Sequence, residues 1–100
     1  MKISVQFEKM QTSESMNEFV TKKLNKLLKK YDWIIAAQVF YKSEKDPKGK
    51  GKICKIELSH VGSKLFAISN EESFQAATDE TIRDLEKLLE KRKNEMKPYA

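Results

Sequence analysis

Residues 13–31 have the sequence SESMNEFVTKKLNKLLKKY, and this stretch decides how the rest of the chain can fold. Its apolar side chains recur at spacings of three and four residues: Met16, Val20, Leu24, Leu27, Leu28 and Tyr31. At 3.6 residues per turn they form one stripe, so the spacing predicts an amphipathic helix from Glu14 to about Tyr31. Ser13 is a suitable N-cap, and Glu14 suits the positive end of the helix dipole.

Alternating apolar and polar residues outside this helix predict four strands. The alternation begins in Met1–Phe7, and β-branched and aromatic residues are concentrated in Ile35–Lys42, Lys52–His60 and Lys64–Ser69. The segment Ser43–Gly51 collects a proline and two glycines among charged residues, which predicts a flexible hairpin loop. The side chains expected on the buried side of the two middle strands are Ile35, Ala37, Val39, Tyr41, Cys54, Ile56 and Leu58.

A second helix is predicted near the C-terminus, after a cap at Ser69 or Asn70 and with Glu71 and Glu72 in its first turn. Its buried stripe is expected to comprise Phe74, Ala77, Thr78, Thr81, Leu85, Leu88 and Leu89. Asn94–Ala100 has no apolar period and contains a proline, so we expect this tail to fray.

The element order is therefore β-α-β-β-β-α, within a single domain of residues 1–100. Each predicted helix has a single apolar stripe, which must be buried against another element, and one face of a sheet can bury both stripes. We expect an α+β two-layer sandwich, in which a four-stranded mixed sheet carries both helices on one face. The first strand–helix–strand unit predicts a parallel, right-handed crossover.

Composition narrows the class of protein. The chain has 20 basic and 15 acidic residues, a net charge of +5, which favours a polyanionic partner, although solubility alone accounts for it equally well. Cys54 is the only cysteine, which excludes an internal disulfide and fits a reducing cytoplasm. The N-terminus lacks the apolar core of a signal peptide, and no stretch approaches the roughly 20 apolar residues that cross a bilayer. We expect a cytoplasmic protein without membrane contact.

The run Thr21–Lys30 carries five lysines and no acid; these are Lys22, Lys23, Lys26, Lys29 and Lys30. At about 100° per residue they share one arc, on the side away from the apolar stripe. Nothing in the run relieves their repulsion, and a phosphate backbone would offset it. The alternative is a solvated lysine face near a helix C-terminus, where cations suit the dipole.

Other basic residues give a weaker signal. Arg83, Lys87 and Lys91 stand at i,i+4 spacing on the second helix, but acids are interleaved with them, so a salt-bridged surface helix is the plainer interpretation. The loop lysines Lys45, Lys48, Lys50 and Lys52 are explained equally well by solubility.

The aromatic residues indicate how RNA would be bound. Proteins that stack unpaired bases present exposed aromatics on a sheet. The positions Phe7, Phe19, Tyr31, Phe66 and Phe74 are instead predicted to be core, and Trp33 is expected to cap the edge of that core. We therefore expect electrostatic and shape-based contacts with folded RNA.

Catalytic constellations are missing from the sequence. Cys54 and His60 are six residues apart on one predicted strand, roughly 20 Å, which is too far for a Cys–His dyad. A single His and a single Cys supply no metal-ligand cluster, and no Walker, GxGxxG or GxSxG motif occurs. We expect no enzymatic activity, cofactor, metal or small-molecule substrate.

Both helices resemble those of a known family. Ser13, Met16, Phe19–Val20 and the run Lys23–Leu27 (KLNKL) resemble the first helix of the ribosome hibernation-promoting factors, also called ribosome-associated translation inhibitors or σ54-modulation proteins. The segment FQAATDETIRDLEKLL is similar to the family's second helix, at Ala76, Ala77, Asp79, Ile82, Leu85, Glu86 and Lys87. The resemblance spans nearly the whole chain.

This resemblance implies two roughly parallel helices on one face of a sheet, and basic helix residues that bind ribosomal RNA in the messenger and transfer RNA channel of the small subunit. By position, Lys23, Lys26 and Lys87 match the family's basic residues. Five further residues are added from the charge geometry of the helices: Lys22, Lys29, Lys30, Arg83 and Lys91. The predicted RNA-binding residues are Lys22, Lys23, Lys26, Lys29, Lys30, Arg83, Lys87 and Lys91.

Three positions depart from the family's pattern. Gln75 replaces a frequent aromatic, Thr78 a usual aliphatic and Asp84 a common lysine. The last of these weakens the second helix as an RNA contact. The chain ends after this helix, so it resembles the short members, which lack a dimerising tail domain.

The leading hypothesis is a stress-related hibernation factor that binds ribosomes, inhibits translation sterically and is a monomer off the ribosome. Two rival hypotheses stay open: a protein-interaction module whose lysine face meets an acidic partner, and a general double-stranded-RNA-binding domain.

Overall fold

The computed structural model describes residues 2–96, and its elements follow the predicted order. They are β1 (Lys2–Glu8), α1 (Glu14–Leu28), β2 (Ala36–Ser43), β3 (Lys52–His60), β4 (Ser63–Glu71) and α2 (Phe74–Met96). The sheet order is β1-β2-β3-β4, with β1 parallel to β2 and the other pairs antiparallel. The predicted α+β sandwich with a four-stranded mixed sheet is confirmed.

The core lies between one face of the sheet and the apolar stripes of both helices. The helices contribute Val20, Leu24, Leu27, Leu28, Ala77, Leu85 and Leu89. The strands contribute Ala37, Val39, Tyr41, Cys54, Ile56, Leu58, Leu65 and Ala67. Both helices therefore cover the same face, as the sequence predicts. Neither helix between residues 2 and 96 combines the length and apolar composition that a bilayer-spanning segment needs.

The first helix begins as predicted and ends earlier. The Met16 backbone N–H donates to Ser13 Oγ at 3.2 Å, which confirms Ser13 as the N-cap. The helix ends at Leu28, and the next two backbone bonds, Lys30 N–H to Leu27 O and Tyr31 N–H to Leu28 O, span three residues instead of four. This tighter closing turn still places Tyr31 in the core.

The second helix begins later than predicted. Its cap is Ser73, whose Oγ accepts from the Ala76 N–H at 3.1 Å, so the predicted cap at Ser69 or Asn70 is wrong. The β3–β4 ladder continues to the pair Lys52–Glu71, and the strand therefore occupies the positions assigned to the cap. The helix includes residues 94–96 of the segment expected to fray, and residues 97–100 lie outside the described residues.

Three residues predicted to be buried are exposed. Ile35 precedes β2 and is 54% exposed, Leu88 lies at the margin of the α2 stripe, and Phe66 is 58% exposed. In β4 the alternation turns Leu65 and Ala67 inward, and Phe66 between them must point outward. The prediction that Phe66 belongs to the core is therefore wrong.

Tyr31 ties the end of α1 to α2. Its hydroxyl donates to Glu90 Oε2 at 2.8 Å, and its ring meets Trp33 edge-on. Trp33 is partly buried against the core, as expected. Burial, reinforced by the bond to Glu90, raises the pKa of Tyr31 to about 12.

Alkaline pH should weaken the fold over a defined range. The unfolded chain loses the Tyr31 proton near pH 10, whereas the folded chain keeps it to about pH 12. Because the folded state binds the extra proton, the contribution of Tyr31 to the free energy of unfolding should be steady below about pH 10 and should be lost between about pH 10 and 12. Urea denaturation at several pH values measures this. Tyr31→Phe should flatten part of the decline, and an equally steep decline in that variant would contradict the assignment.

Candidate nucleic-acid interface

The five lysines of α1 and its closing turn lie on the outer side of the helical layer, opposite the sheet. This basic ridge consists of Lys22, Lys23, Lys26, Lys29 and Lys30. All five are exposed, whereas Val20, Leu24 and Leu27 on the opposite side of the helix are buried. The predicted separation of an apolar stripe from a lysine arc is confirmed. The helix holds the ammonium groups in one row because its packed stripe fixes its rotation against the sheet.

One ridge lysine is neutralised. Lys23 Nζ lies 3.0 Å from Asp79 Oδ1 of α2 and 5.1 Å from the centroid of the Phe19 ring. The run itself contains no acid, but Asp79 of α2 relieves Lys23, because the packing of the helices brings this residue, which is remote in sequence, close to the ridge. Within residues 2–96, the other four ridge lysines have no carboxylate within 4.0 Å.

Lys26 is at the centre of the remaining repulsion. It stands three or four residues from each of the other ridge lysines, which are the spacings that bring side chains together on a helix. Each like-charge pair at such spacing is destabilising by a few tenths of a kcal/mol. The ridge is thus a surface that the fold tolerates at a cost, and that an anion would stabilise.

Two cations of α2 extend this surface. Arg83 lines a shallow depression between the helices together with Lys23, Asp79 and Ile82. At about 100° per residue, Arg83 and Lys87 point away from the sheet, whereas Lys91 lies toward the flank of α2. Arg83, Lys87 and Lys91 are all exposed, and in the described part of the chain none forms an ion pair with the interleaved acids. The predicted salt-bridged helix is not what the structure shows at these positions.

Acidic residues mark the edge of the basic surface. Glu80 lies beside Glu71 of β4, and the hydrogen bond between these two side chains, followed by partial desolvation and then by the charges of Glu71 and Asp84, raises the pKa of Glu80. Asp84 adds to that negative charge. The region where α2 meets β4 is therefore unfavourable for phosphate, which agrees with the weakening effect expected of Asp84.

The loop lysines contribute less than their number suggests. Lys50 lies 3.9 Å from Glu71, and Lys52 donates to Ser43 Oγ at 3.1 Å with its ammonium near the Phe74 ring. Lys45 and Lys48 are exposed. Among the described residues, no three His, Cys, Asp or Glu side chains gather as metal ligands. Cys54 is buried on the inner face of β3, while His60 at the strand end contacts Trp33 and Arg92.

The fold and this surface define a class: a small α+β domain with a basic outer helical layer. Residues 3–97 match the family model described as Sigma 54 modulation protein / S30EA ribosomal protein. The chain belongs to this family of ribosome-associated proteins. No curated protein sequence matches it.

Two solved structures share the fold. A ribosomal subunit interface protein from Coxiella burnetii superposes with a TM-score of 0.83 at 23% identity, covering 94% of this chain and 99% of that one. The N-terminal domain of Thermus thermophilus Protein Y gives a TM-score of 0.75 at 20% identity, covering 91% and 98%. The family match and the shared fold confirm the resemblance found in the sequence.

Charge reversal should distinguish Lys23 from Lys26. Lys23→Glu removes the ion pair and places a second carboxylate near Asp79, so the free energy of unfolding should fall by about 1 kcal/mol. Lys26→Glu meets only lysines at its helical spacings, so the free energy of unfolding should stay unchanged or rise. Urea denaturation followed by circular dichroism gives both values. Equal losses in the two variants would show that the Lys23–Asp79 pair is unimportant in solution.

Proposed function

We propose that this protein is a hibernation factor that binds small-subunit ribosomal RNA through the basic ridge and blocks the messenger and transfer RNA channel with its body. The observation that carries the proposal is the row of four ridge lysines that have no carboxylate partner within residues 2–96, continued by Arg83 and Lys87. These four are Lys22, Lys26, Lys29 and Lys30. Their repulsion has no local remedy, and phosphate contacts would release counterions as well as neutralise charge.

Family membership supports a ribosomal partner over other polyanions. One protein that shares the fold is named a ribosomal subunit interface protein. The interface between the ribosomal subunits is a site where we expect an inhibitor of translation to act. The chain then acts in the cytoplasm by occupancy alone, without catalysis, and as a monomer when it is off the ribosome. Lys23 and Lys91 take part as secondary contacts. Lys23 must break its ion pair with Asp79 before it can bind a phosphate, and Lys91 lies at the flank of α2.

Ribosome binding should depend on the free part of the ridge. Lys22→Glu combined with Lys26→Glu avoids the Asp79 contact and should sharply reduce co-sedimentation with ribosomes while leaving the circular dichroism spectrum unchanged. Lys45→Glu with Lys48→Glu is the matched control, since it alters net charge equally in the exposed loop. Retained pelleting of the ridge variant, or equal loss in the control, would refute the assignment.

Two controls separate the rival functions in the same assay. Nuclease treatment should release the protein if RNA captures it, whereas a direct contact with an acidic protein would survive. Excess double-stranded RNA of arbitrary sequence should compete poorly with ribosomes. Efficient competition would indicate a general double-stranded-RNA-binding domain.

Binding should also be steeply salt-dependent. With about six phosphates contacted, the association constant should fall about 1000-fold between about 50 and 200 mM salt. The ridge variant should lose about two of those contacts and show a correspondingly shallower slope. Titrations of fluorescent protein with purified small subunits measure both slopes, and a flat titration would exclude a phosphate-based interface.

A further inference from the structure

The side of the sheet that faces away from the helices forms a second, open surface. Register pairing and strand alternation place these residues on it: Lys2, Ser4, Gln6, Glu8, Ala36, Gln38, Phe40, Lys42, Ile53, Lys55, Glu57, Ser59, Lys64, Phe66, Ile68 and Asn70. We call this surface the outer sheet face. Both helices pack on the opposite side, so no element of the described chain covers it.

An aromatic and aliphatic cluster lies at its centre. Phe66 and Ile68 of β4 are 58% and 55% exposed, and Phe40 of β2 and Ile53 of β3 are partly buried beside them. Lys55 of β3 lies between the two rings, with its ammonium nitrogen 5.9 Å from the Phe40 centroid and 5.7 Å from the Phe66 centroid. Exposure of two large apolar side chains on one strand, with further apolar side chains beside them, marks an interaction surface.

The charges on this face favour an anionic occupant. Four lysines, Lys2, Lys42, Lys55 and Lys64, stand against two acids, Glu8 and Glu57. Lys42 is paired at 2.9 Å with Glu44, which follows β2, so Lys2 and Lys64 are the lysines of this face that have no carboxylate partner among the described residues. An apolar protein segment seated on the rings would have to bury the Lys55 ammonium, which is 3.4 Å from Glu57, and burying such a pair is expensive. An unpaired nucleic-acid strand offers bases to the rings and phosphates to the lysines, and satisfies both.

We propose that the outer sheet face binds a short stretch of single-stranded RNA. Bases stack on Phe66 and Phe40, and Lys55 and Lys64 contact the phosphates between and beside them. Sheets that bind RNA in this way hold two or three bases on their aromatic side chains. Because the chain belongs to a ribosome-associated family, RNA is the polyanion that we expect it to meet. This surface is on the opposite side of the molecule from the basic ridge, and it binds independently of it.

Phe66 is the sharpest test position because its exposed ring can be removed without opening the core. The probe is a fluorescein-labelled oligouridine of about ten nucleotides, within the usual site size for such surfaces. Phe66→Ala should weaken its binding, measured by fluorescence anisotropy, between about fivefold and about 150-fold. Phe66→Trp should restore binding, since it supplies another π-face.

Ile68→Ala is the matched control, because Ile68 is equally exposed on the same strand and lacks a π-face. Its oligouridine affinity should stay within about twofold of the parent. Equal weakening by Phe66→Ala and Ile68→Ala would overturn the proposal in favour of a purely apolar contact. Unchanged binding in Phe66→Ala, or no oligouridine binding by the parent, would also overturn it. A parent that sediments as a dimer, together with a Phe66→Ala variant that sediments as a monomer, would overturn it as well.

A duplex probe separates this surface from the ridge. The ridge variant Lys22→Glu with Lys26→Glu should weaken binding of a double-stranded RNA of equal length, whereas Phe66→Ala should leave duplex binding unchanged. Loss of duplex binding in Phe66→Ala would overturn the proposal, since stacking requires unpaired bases. The assay contains no ribosomes, so its result is independent of ribosome co-sedimentation.

Discussion

One packing constraint governs this molecule: the four-stranded sheet buries the apolar side chains of one face only, and both helices must share that face. Buried hydrogen bonds fix how α2 lies there. The Tyr41 hydroxyl and Thr78 Oγ1 are 2.7 Å apart, and Thr81 Oγ1 donates to the Cys54 carbonyl oxygen at 3.1 Å. These polar contacts explain why Thr78 replaces the aliphatic residue usual in the family: its hydroxyl satisfies the buried phenol of Tyr41.

Both candidate surfaces result from this constraint. Because the apolar stripe of α1 is held against the sheet, its lysines must point outward. Because no element of the described chain covers the other side of the sheet, Phe66 stays in solvent. The ridge combines weak exposed repulsions with the Lys23–Asp79 ion pair, and exposed pairs of this kind contribute about 1 kcal/mol or less. The fold therefore gains little stability from its surface charges, which leaves them available for a partner.

The limits of sequence patterns are clearest at the aromatic residues. Tyr31 and Tyr41 lie in the core, as the helical spacing predicts for Tyr31 and the strand alternation predicts for Tyr41. Phe66 is also apolar, but in a strand only alternate side chains point to the same face. Because Leu65 and Ala67 point to the inner face, Phe66 must point to the outer one. The second helix shows a similar limit, because Ser69, Asn70 and Ser73 are all acceptable caps and only the length of the β3–β4 ladder decides among them.

The sequence by itself determined the element order, the stripe of α1, the lysine arc and the family, because these follow from local periodicity and residue spacing. Only the tertiary structure decided that Asp79 neutralises Lys23, that Arg83 joins the ridge across the two helices, and that the outer sheet face is open. Such contacts join residues far apart in the chain. Their geometry depends on how the helices pack on the sheet, which local patterns do not specify.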